Sequence, residues 1–103
     1  MAKKVNLDAM IPREDFAIEA LYRAKLGDRA GARRALAEAH IANDDPGLRF
    51  REARVRELTG DREGALRAIG EALSGGFSRN QVEQAPELER LRADPRYSKI
   101  VTK

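Results

Sequence analysis

Residues 25–40 read KLGDRAGARRALAEAH, and residues 58–73 read LTGDREGALRAIGEAL, which is nearly the same sequence 33 residues later. Within these stretches, nine of the thirteen positions that begin at Gly27 and Gly60 are identical. Three further pairs match upstream at the same offset: Glu19 with Glu52, Ala20 with Ala53 and Arg23 with Arg56. Repetition at a period of about 30–40 residues is typical of stacked supersecondary units. The repeat therefore predicts two copies of one small structural unit.

Each unit begins with a stretch that has the apolar spacing of a helix. Phe16, Ala20 and Ala24 recur every four residues, which predicts a first helix over about residues 13–26. Gly27 then permits the left-handed backbone conformation that commonly ends a helix. Phe50, Ala53 and Leu58 predict a third helix in the same way, and Gly60 follows its end.

The second helix of each unit follows directly from a Gly-Asp dipeptide. Asp28 is placed to cap this helix with its carboxylate. A stripe of alanine and leucine predicts the helix over about residues 29–42. The repeated aspartate, Asp61, predicts a fourth helix in the same way, and the pair Gly75-Gly76 closes it.

The last quarter of the chain does not repeat the unit and carries signals for short helices instead. Ser78 and Gln81 have the spacing of a capping box. Two prolines divide the remaining residues, since proline favours the first turn of a helix and not its interior. These signals predict short helices over about residues 79–84, 86–92 and 95–101.

These features together resemble the tetratricopeptide repeat, a family of stacked helix pairs with a period of about 34 residues. The resemblance covers about residues 13–76 and rests on the Gly-Asp turns, on the small residues Ala20 and Ala53, and on alanines in both helices. The chain departs from the family at Glu19 and Glu52, where a large apolar residue is usual. The resemblance implies a solenoid of two helix-turn-helix units.

The departures from the family place charges on the helix flanks. Glu19 and Arg23 are four residues apart, as are Glu52 and Arg56. Such pairs stabilise an exposed helix by only a few tenths of a kcal/mol. Two interpretations remain open: the pairs are solvated helix faces without a function, or they form a charged ladder along a binding groove.

The tail resembles a second known pattern. After Gly76-Phe77, residues 86–97 read Pro-x-Leu-x-x-Leu-Arg-x-Asp-Pro-Arg-Tyr. This run is similar to a closing segment that follows tetratricopeptide repeats in bacterial signalling proteins, where it is regarded as non-catalytic. The resemblance therefore implies a cap over the apolar face of the last unit, since a stack of repeats must end by covering that face.

We thus predict an all-α fold: a tetratricopeptide-like helix-turn-helix solenoid of two repeats with short C-terminal capping helices. The expected organisation is an N-terminal extension (1–12), a first repeat (13–45), a second repeat (46–76) and a helical cap (77–103).

Stacks of this kind usually need roughly three units for stability, and this chain has two. We therefore expect the apolar surface at the N-terminal end of the first unit to be covered as well. The apolar residues that precede the first repeat are Val5, Leu7, Met10 and Ile11. We expect residues 5–11 to pack on the first helix pair or on a second copy of the chain, so self-association is an expectation. A frayed terminus is the alternative.

The composition indicates a soluble globular domain. Twenty basic and 17 acidic residues give a net charge of +3, and 42% of the residues are hydrophobic. No stretch approaches the roughly 18 apolar residues of a membrane helix, and no apolar segment typical of a secretory signal follows the first lysines. The absence of cysteine excludes disulfides and thiolate zinc ligands. A cytoplasmic location is the expectation, with no membrane partner.

No pattern in the sequence indicates catalysis or a cofactor. His40 is the single histidine, near the end of the second predicted helix, where a helix dipole favours a basic group. Asp44 and Asp45 precede a proline and predict a helix cap, because calcium loops need more oxygen ligands at alternating spacing. Glu87 and Glu89 lie at a charged helix start and suit the helix dipole. We therefore expect no enzymatic activity, no cofactor and no metal.

The tetratricopeptide resemblance implies a function in protein–protein interaction. Members of the family bind peptides or protein surfaces along the concave face made by the first helices of successive units. The residues expected to face that groove are Ala17, Leu21, Ala24, Lys25, Phe50, Arg54, Glu57 and Leu58. They lack the Lys/Asn pattern of chaperone-binding members, so we expect a different small adaptor or scaffold in a bacterial-type cytoplasm. Whether the groove is open, or covered by the N-terminal segment or a second copy, remains open.

Nucleic-acid binding through the arginine-rich third helix is the alternative function. A helical wheel places Arg51 and Arg54 near one flank, and Arg49 and Arg56 on the opposite flank with Glu52 between them. Nucleic-acid binding favours a continuous basic surface, preferably with exposed aromatic rings for stacking. The divided arrangement therefore favours a protein or peptide partner of unknown identity.

Overall fold

The computed structural model describes residues 13–39 and 45–102, which form seven α-helices, one 3-10 helix and no strand. The helices are α1 (Arg13–Lys25), α2 (Arg29–Ala39), α3 (Pro46–Leu58), α4 (Arg62–Ser74), α5 (Arg79–Gln84), α6 (Glu89–Arg92) and α7 (Pro95–Val101), with the 3-10 helix at Pro86–Leu88. The predicted all-α class is therefore confirmed for the described residues.

The sharp turns between the helices lie at the glycines that the sequence singles out. Gly27 and Gly60 follow α1 and α3 with φ angles of 88° and 90°, and Gly76 follows α4 with a φ of 99°. This left-handed backbone conformation strains residues that have a Cβ atom, which explains the glycines at these positions.

One aspartate in each unit joins the end of the first helix to the start of the second. Asp61 Oδ1 accepts a hydrogen bond from the backbone N–H of Gly64 at 2.9 Å, and Asp61 Oδ2 accepts one from Arg56 Nη1 at 2.9 Å. The same two contacts, also at 2.9 Å, join the equivalent residues of the first unit: Asp28, Gly31 and Arg23. The bond from Gly64, with that from Arg56, lowers the pKa of Asp61. We call Asp28 and Asp61 the capping carboxylates.

The glycine three residues after each capping carboxylate leaves room for it. A Cβ atom at Gly64 would collide with the carboxylate of Asp61 and lie 2.7 Å from Arg56 Cδ. A Cβ atom at Gly31 would collide with the carboxylate of Asp28 in the same way. The steric requirement explains why both copies of the motif read Gly-Asp-Arg-x-Gly-Ala.

The first unit packs on the second through α1 and α2, which both contact α3. Val55 of α3 is fully buried in a cluster with residues from the first unit: Ala20, Ala24, Ala32, Ala35 and Leu36. Arg33 Nη2 of α2 also donates a hydrogen bond to the carbonyl oxygen of Thr59, just after α3, at 2.8 Å. Apolar packing and one charged donor therefore hold the two units together.

Glu52 lies buried within the stack of units. Its carboxylate accepts hydrogen bonds from Arg49 Nη1 at 2.8 Å and from Arg56 Nε at 2.7 Å. The equivalent Glu19 accepts one from Arg23 Nε at 2.8 Å but stays partly exposed. The Glu19–Arg23 pair thus lies on a partly exposed helix face, which is one of the two interpretations that the sequence leaves open, whereas the carboxylate of Glu52 lies inside the stack.

The tail covers the far face of the second unit. Ala53 of α3 and several residues of α4 share one core with the tail, whose buried members are Val82, Ala85, Leu88, Leu91 and Tyr97. Ser78 caps α5 as predicted, since its Oγ accepts a hydrogen bond from the N–H of Gln81 at 3.3 Å. The short helices expected at 79–84, 86–92 and 95–101 are present, with the middle one beginning as a 3-10 turn.

Asp94 continues the spacing of the capping carboxylates into the tail. It lies 33 residues after Asp61, and its Oδ1 accepts a hydrogen bond from the N–H of Arg96 at 2.9 Å at the start of α7. Arg62 of the second unit donates to Asp94 Oδ2 at 3.1 Å. The tail does not repeat the sequence of the unit, but it has a capping aspartate at the position that the 33-residue period predicts.

Replacing Gly64 by alanine tests the role of the capping carboxylate. We expect Gly64→Ala to lower the free energy of unfolding by about 1–2 kcal/mol, because the new Cβ displaces Asp61 and the cap is lost. The matched control in the same helix is Gly70→Ala, whose Cβ would lie 3.9 Å from Ile100 Cγ2 in ordinary contact. We expect Gly70→Ala to stabilise the protein by about 0.5–1 kcal/mol. Urea denaturation followed by circular dichroism measures both, and effects of the same sign would contradict this account.

Candidate functional site

The eight residues predicted to face a groove fall into two groups. Ala17 and Ala24 are buried in the core, so their side chains offer no surface to a partner. The other six are at least partly exposed and belong to α1 and α3: Leu21, Lys25, Phe50, Arg54, Glu57 and Leu58. We call this set of six residues the α1–α3 face.

A carboxylate from the 3-10 helix bonds to two cations of the α1–α3 face. Glu87 accepts hydrogen bonds from Arg54 Nε at 3.2 Å and Arg54 Nη2 at 2.8 Å, and Lys25 Nζ lies 3.0 Å from Glu87 Oε2. The Glu87 side chain is only 10% exposed. Because α1, α3 and the 3-10 helix each contribute one residue, this Glu87 cluster links the first unit, the second unit and the tail.

Two opposing effects set the pKa of Glu87. Burial acts to raise it, but hydrogen bonds from Arg54 and Lys25 outweigh burial and hold the pKa of Glu87 at about 2, below its ordinary value of 4.5. The carboxylate is therefore charged at neutral pH. A buried charge is tolerated when it is paired and hydrogen-bonded in this way.

One ring of an aromatic pair also lies close to Arg54. The rings of Phe50 and Phe77 are stacked, with centroids 4.5 Å apart and an interplanar angle of 22°. The Cζ atom of Arg54 lies 5.3 Å from the centroid of the Phe50 ring, within the range of a cation–π interaction. The stacked ring and the bidentate carboxylate together restrict the guanidinium of Arg54 to one orientation.

Glu57, the acidic residue of the α1–α3 face, is bound by Arg62. Arg62 Nε and Nη2 donate to the two carboxylate oxygens of Glu57, both at 2.7 Å. A cleft beside this pair is lined by basic, acidic and apolar side chains. They include Arg29, Leu58, Pro86, Glu87, Glu89 and Arg90. The site therefore offers a mixed surface, with apolar contacts beside oriented charges.

Glu87 was not among the residues predicted to face the groove, and its predicted role was at a helix dipole instead. A usable signal was present, because Glu87 follows Arg54 by 33 residues, and Arg54 follows Leu21 by the same interval. Continuing the period of the repeat into the tail brings these three residues to equivalent positions. The capping position of Asp94 supports the same alignment.

The described part of the chain holds neither a candidate metal site nor a candidate membrane span. No group of three or more His, Cys, Asp or Glu side chains there could hold a metal ion, and no helix there is long and apolar enough to cross a membrane. Asp45 caps α3 as predicted, since Oδ1 accepts a hydrogen bond from the N–H of Leu48 at 3.1 Å. His40, Asp44 and the apolar segment 5–11 lie outside the described residues.

Comparisons with known proteins find no relative of this chain. No protein-family model matches it, and neither a curated protein nor a solved structure matches it significantly. Its function must therefore be inferred from the residues and contacts of the chain itself.

Neutralising Glu87 tests the charged cluster. The pKa of Glu87 is lower in the folded chain, so the ionised form stabilises the fold above about pH 4.5, and this contribution is lost as the pH falls towards 2. We expect Glu87→Gln to reduce the free energy of unfolding at pH 7 by about 2 kcal/mol, and the difference from the unmodified chain to shrink towards pH 2.

The exposed neighbour Glu89 provides the matched control for this experiment. We expect Glu89→Gln to change the free energy of unfolding by less than about 0.5 kcal/mol at either pH. Urea denaturation at pH 7 and at pH 2 measures both variants. A Glu87→Gln effect that is independent of pH would show that the ionised carboxylate does not stabilise the fold.

Proposed function

We propose that this chain is a non-catalytic protein-interaction module, a small tetratricopeptide-like adaptor or scaffold that binds a peptide or protein surface on the α1–α3 face. The observation that carries the proposal is the composition of that face. It combines partly exposed leucines, Leu21 and Leu58, with the Glu87 cluster, whose charges come from three different elements. The bacterial setting is what the resemblance of the tail implies, and the cytoplasmic location is the expectation from composition.

The two parts of the face contribute differently to binding. The leucines provide apolar area whose burial stabilises a complex. Lys25, Arg54 and Glu87 carry one net positive charge, and Lys25 stays exposed while it bonds to Glu87. Charges at such a surface give orientation and association rate more than affinity. A partner segment with an acidic residue beside its apolar side chains therefore fits the face best.

The architecture supports the tetratricopeptide-like part of this proposal. The helix pairs α1–α2 and α3–α4 are each closed by a capping carboxylate after a glycine in the left-handed conformation. The first helices of the two pairs, α1 and α3, lie in contact. Neighbouring first helices are what forms the binding face in the family that the sequence resembles.

The contacts of the arginine-rich helix α3 favour protein binding over nucleic-acid binding. Three of its four arginines form ion pairs with carboxylates of the chain: Arg49, Arg54 and Arg56. Phosphate groups would have to compete with these carboxylates. Little positive charge on α3 is therefore left to attract a nucleic acid.

A pull-down with matched variants of α1 tests the proposed function. The tagged chain is incubated with lysate of the source organism, with and without nuclease, and the bound proteins are identified by mass spectrometry. We expect the tagged chain to recover a partner protein in equal amounts with and without nuclease. Leu21→Ser should then reduce its affinity by about tenfold or more, the equivalent of about 1.4 kcal/mol, because it removes an apolar contact of the face.

Ile18→Ser, at an exposed position of the same helix outside the α1–α3 face, is the control and should leave that affinity unchanged. Circular dichroism verifies that both variants remain helical. Recovery that disappears with nuclease would favour the nucleic-acid alternative. An affinity lost in Ile18→Ser but kept in Leu21→Ser would show that the partner binds elsewhere on α1.

A further inference from the structure

A groove of about 790 Å³ lies between the C-terminal half of α4 and the end of α7. Its apolar side chains are Leu73, Phe77, Ile100 and Val101, and Arg67 also lines it. Each of the four apolar side chains is partly exposed, although each also packs against the core that the second unit shares with the tail. We call these five residues the α4–α7 groove. None of them belongs to the α1–α3 face.

The unequal lengths of α4 and α7 produce this groove. Arg62 at the start of α4 donates a hydrogen bond at 3.1 Å to Asp94, which caps α7. Further along both helices, a Cβ atom at Gly70 would lie 3.9 Å from Ile100 Cγ2. The two helices therefore run side by side in the same direction. Because α4 has 13 residues and α7 has seven, the last turn of α4 extends beyond the end of α7.

The groove is already formed in the chain without a partner. Phe77 is held by its stacking on Phe50, with 4.5 Å between the ring centroids. Gly70 also lines the groove, and the absence of a side chain there leaves room above the backbone of α4. A preformed apolar site binds its ligand without the cost of ordering its own side chains.

One of the two arginines that line the groove has no carboxylate partner among the described residues. Arg79 bonds to Glu83 at 2.8 Å. Glu71, the acidic residue of the lining, bonds to Arg49 at 3.4 Å. Arg67 is exposed beside the apolar side chains and forms no ion pair with a described residue. Its guanidinium is always charged, so it favours a ligand that carries a carboxylate.

The form of the groove favours a helix over other ligands. A sheet edge that could accept an added strand is absent from residues 13–39 and 45–102. A small molecule is usually enclosed on most of its surface, whereas Arg67, Ser74 and Arg79 around this groove are exposed. A nucleic acid would need several free cations. A helix that inserts apolar side chains at intervals of three or four residues satisfies these conditions.

We propose that the α4–α7 groove binds an acidic amphipathic helix of a partner protein. The apolar side chains of that helix contact Leu73, Phe77 and Val101, and an aspartate or glutamate beside them pairs with Arg67. The inference goes beyond the proposed function, because it assigns a second partner to residues outside the α1–α3 face. A chain with both surfaces can hold two proteins together, as an adaptor does.

Selection from a phage-displayed library of random peptides tests this proposal in the full-length chain. Peptides of about 15 residues are long enough for roughly four helical turns. The library is first depleted on the Arg67→Glu variant and then selected on the unmodified chain. We expect enriched peptides to carry Leu, Ile or Phe at intervals of three or four residues, together with Asp or Glu. Failure to enrich any peptide, or enrichment of basic peptides, would overturn the proposal.

Fluorescence anisotropy with an enriched peptide then locates its binding site. Leu73→Ser should reduce the affinity about tenfold or more, because it removes an apolar contact of the groove. Val101→Asp, at the end of α7, should have a similar effect and provides a second variant if Leu73→Ser unfolds. Circular dichroism verifies that each variant remains helical.

Two control variants separate the groove from other parts of the chain. Arg34→Glu makes the same charge change at the equivalent exposed position of α2, 33 residues before Arg67, and should leave the affinity unchanged. Leu21→Ser, on the α1–α3 face, should also leave it unchanged. Equal losses in Arg34→Glu and Arg67→Glu would overturn the proposal, since net charge alone would then explain binding. A loss confined to Leu21→Ser would also overturn it, while the proposed function would stand.

Discussion

In each unit, one aspartate carboxylate accepts hydrogen bonds from two neighbouring helices, and the rest of the structure depends on this contact. Asp61 accepts one hydrogen bond from the backbone N–H of Gly64 in the first turn of α4 and another from Arg56 in the last turn of α3. A helix start has unpaired N–H donors and a positive dipole end, so an ionised carboxylate stabilises it. Because the same carboxylate also holds an arginine of the preceding helix, the cap sets the turn between the helices as well as the start of the second. Asp28 does the same in the first unit.

Two units with nearly the same sequence acquire different surroundings when they stack. Glu52 has 8% of its side chain exposed, against 43% for its counterpart Glu19, because α2 of the first unit packs on α3. The stack is also asymmetric along its length. Among the described residues, its back end is closed by the tail, which shares a core with the second unit, whereas Ile18, Tyr22 and Leu26 at its front end are at least half exposed.

Much of this fold could be predicted because its determinants are local. The turns at Gly27 and Gly60 and the cap Asp45 depend on a few consecutive residues, whose conformational preferences act without the rest of the chain. The buried Ala17 and Ala24 were predicted to face the groove, since helical periodicity marks an apolar side but not the element that packs on it. The Glu87 cluster depends on how the tail docks on α1 and α3, a contact between distant segments. Only the 33-residue period pointed to it.

Double-mutant cycles on the two equivalent ion pairs test the central claim, that stacking of identical motifs creates two environments. The cycles combine Glu52→Gln with Arg56→Met, and Glu19→Gln with Arg23→Met, and compare the free energies of unfolding in urea. We predict a coupling energy of about 1.5 kcal/mol or more for the buried pair. For the exposed pair at the same helix spacing, we predict less than about 0.5 kcal/mol. Equal coupling energies would contradict the stacked arrangement.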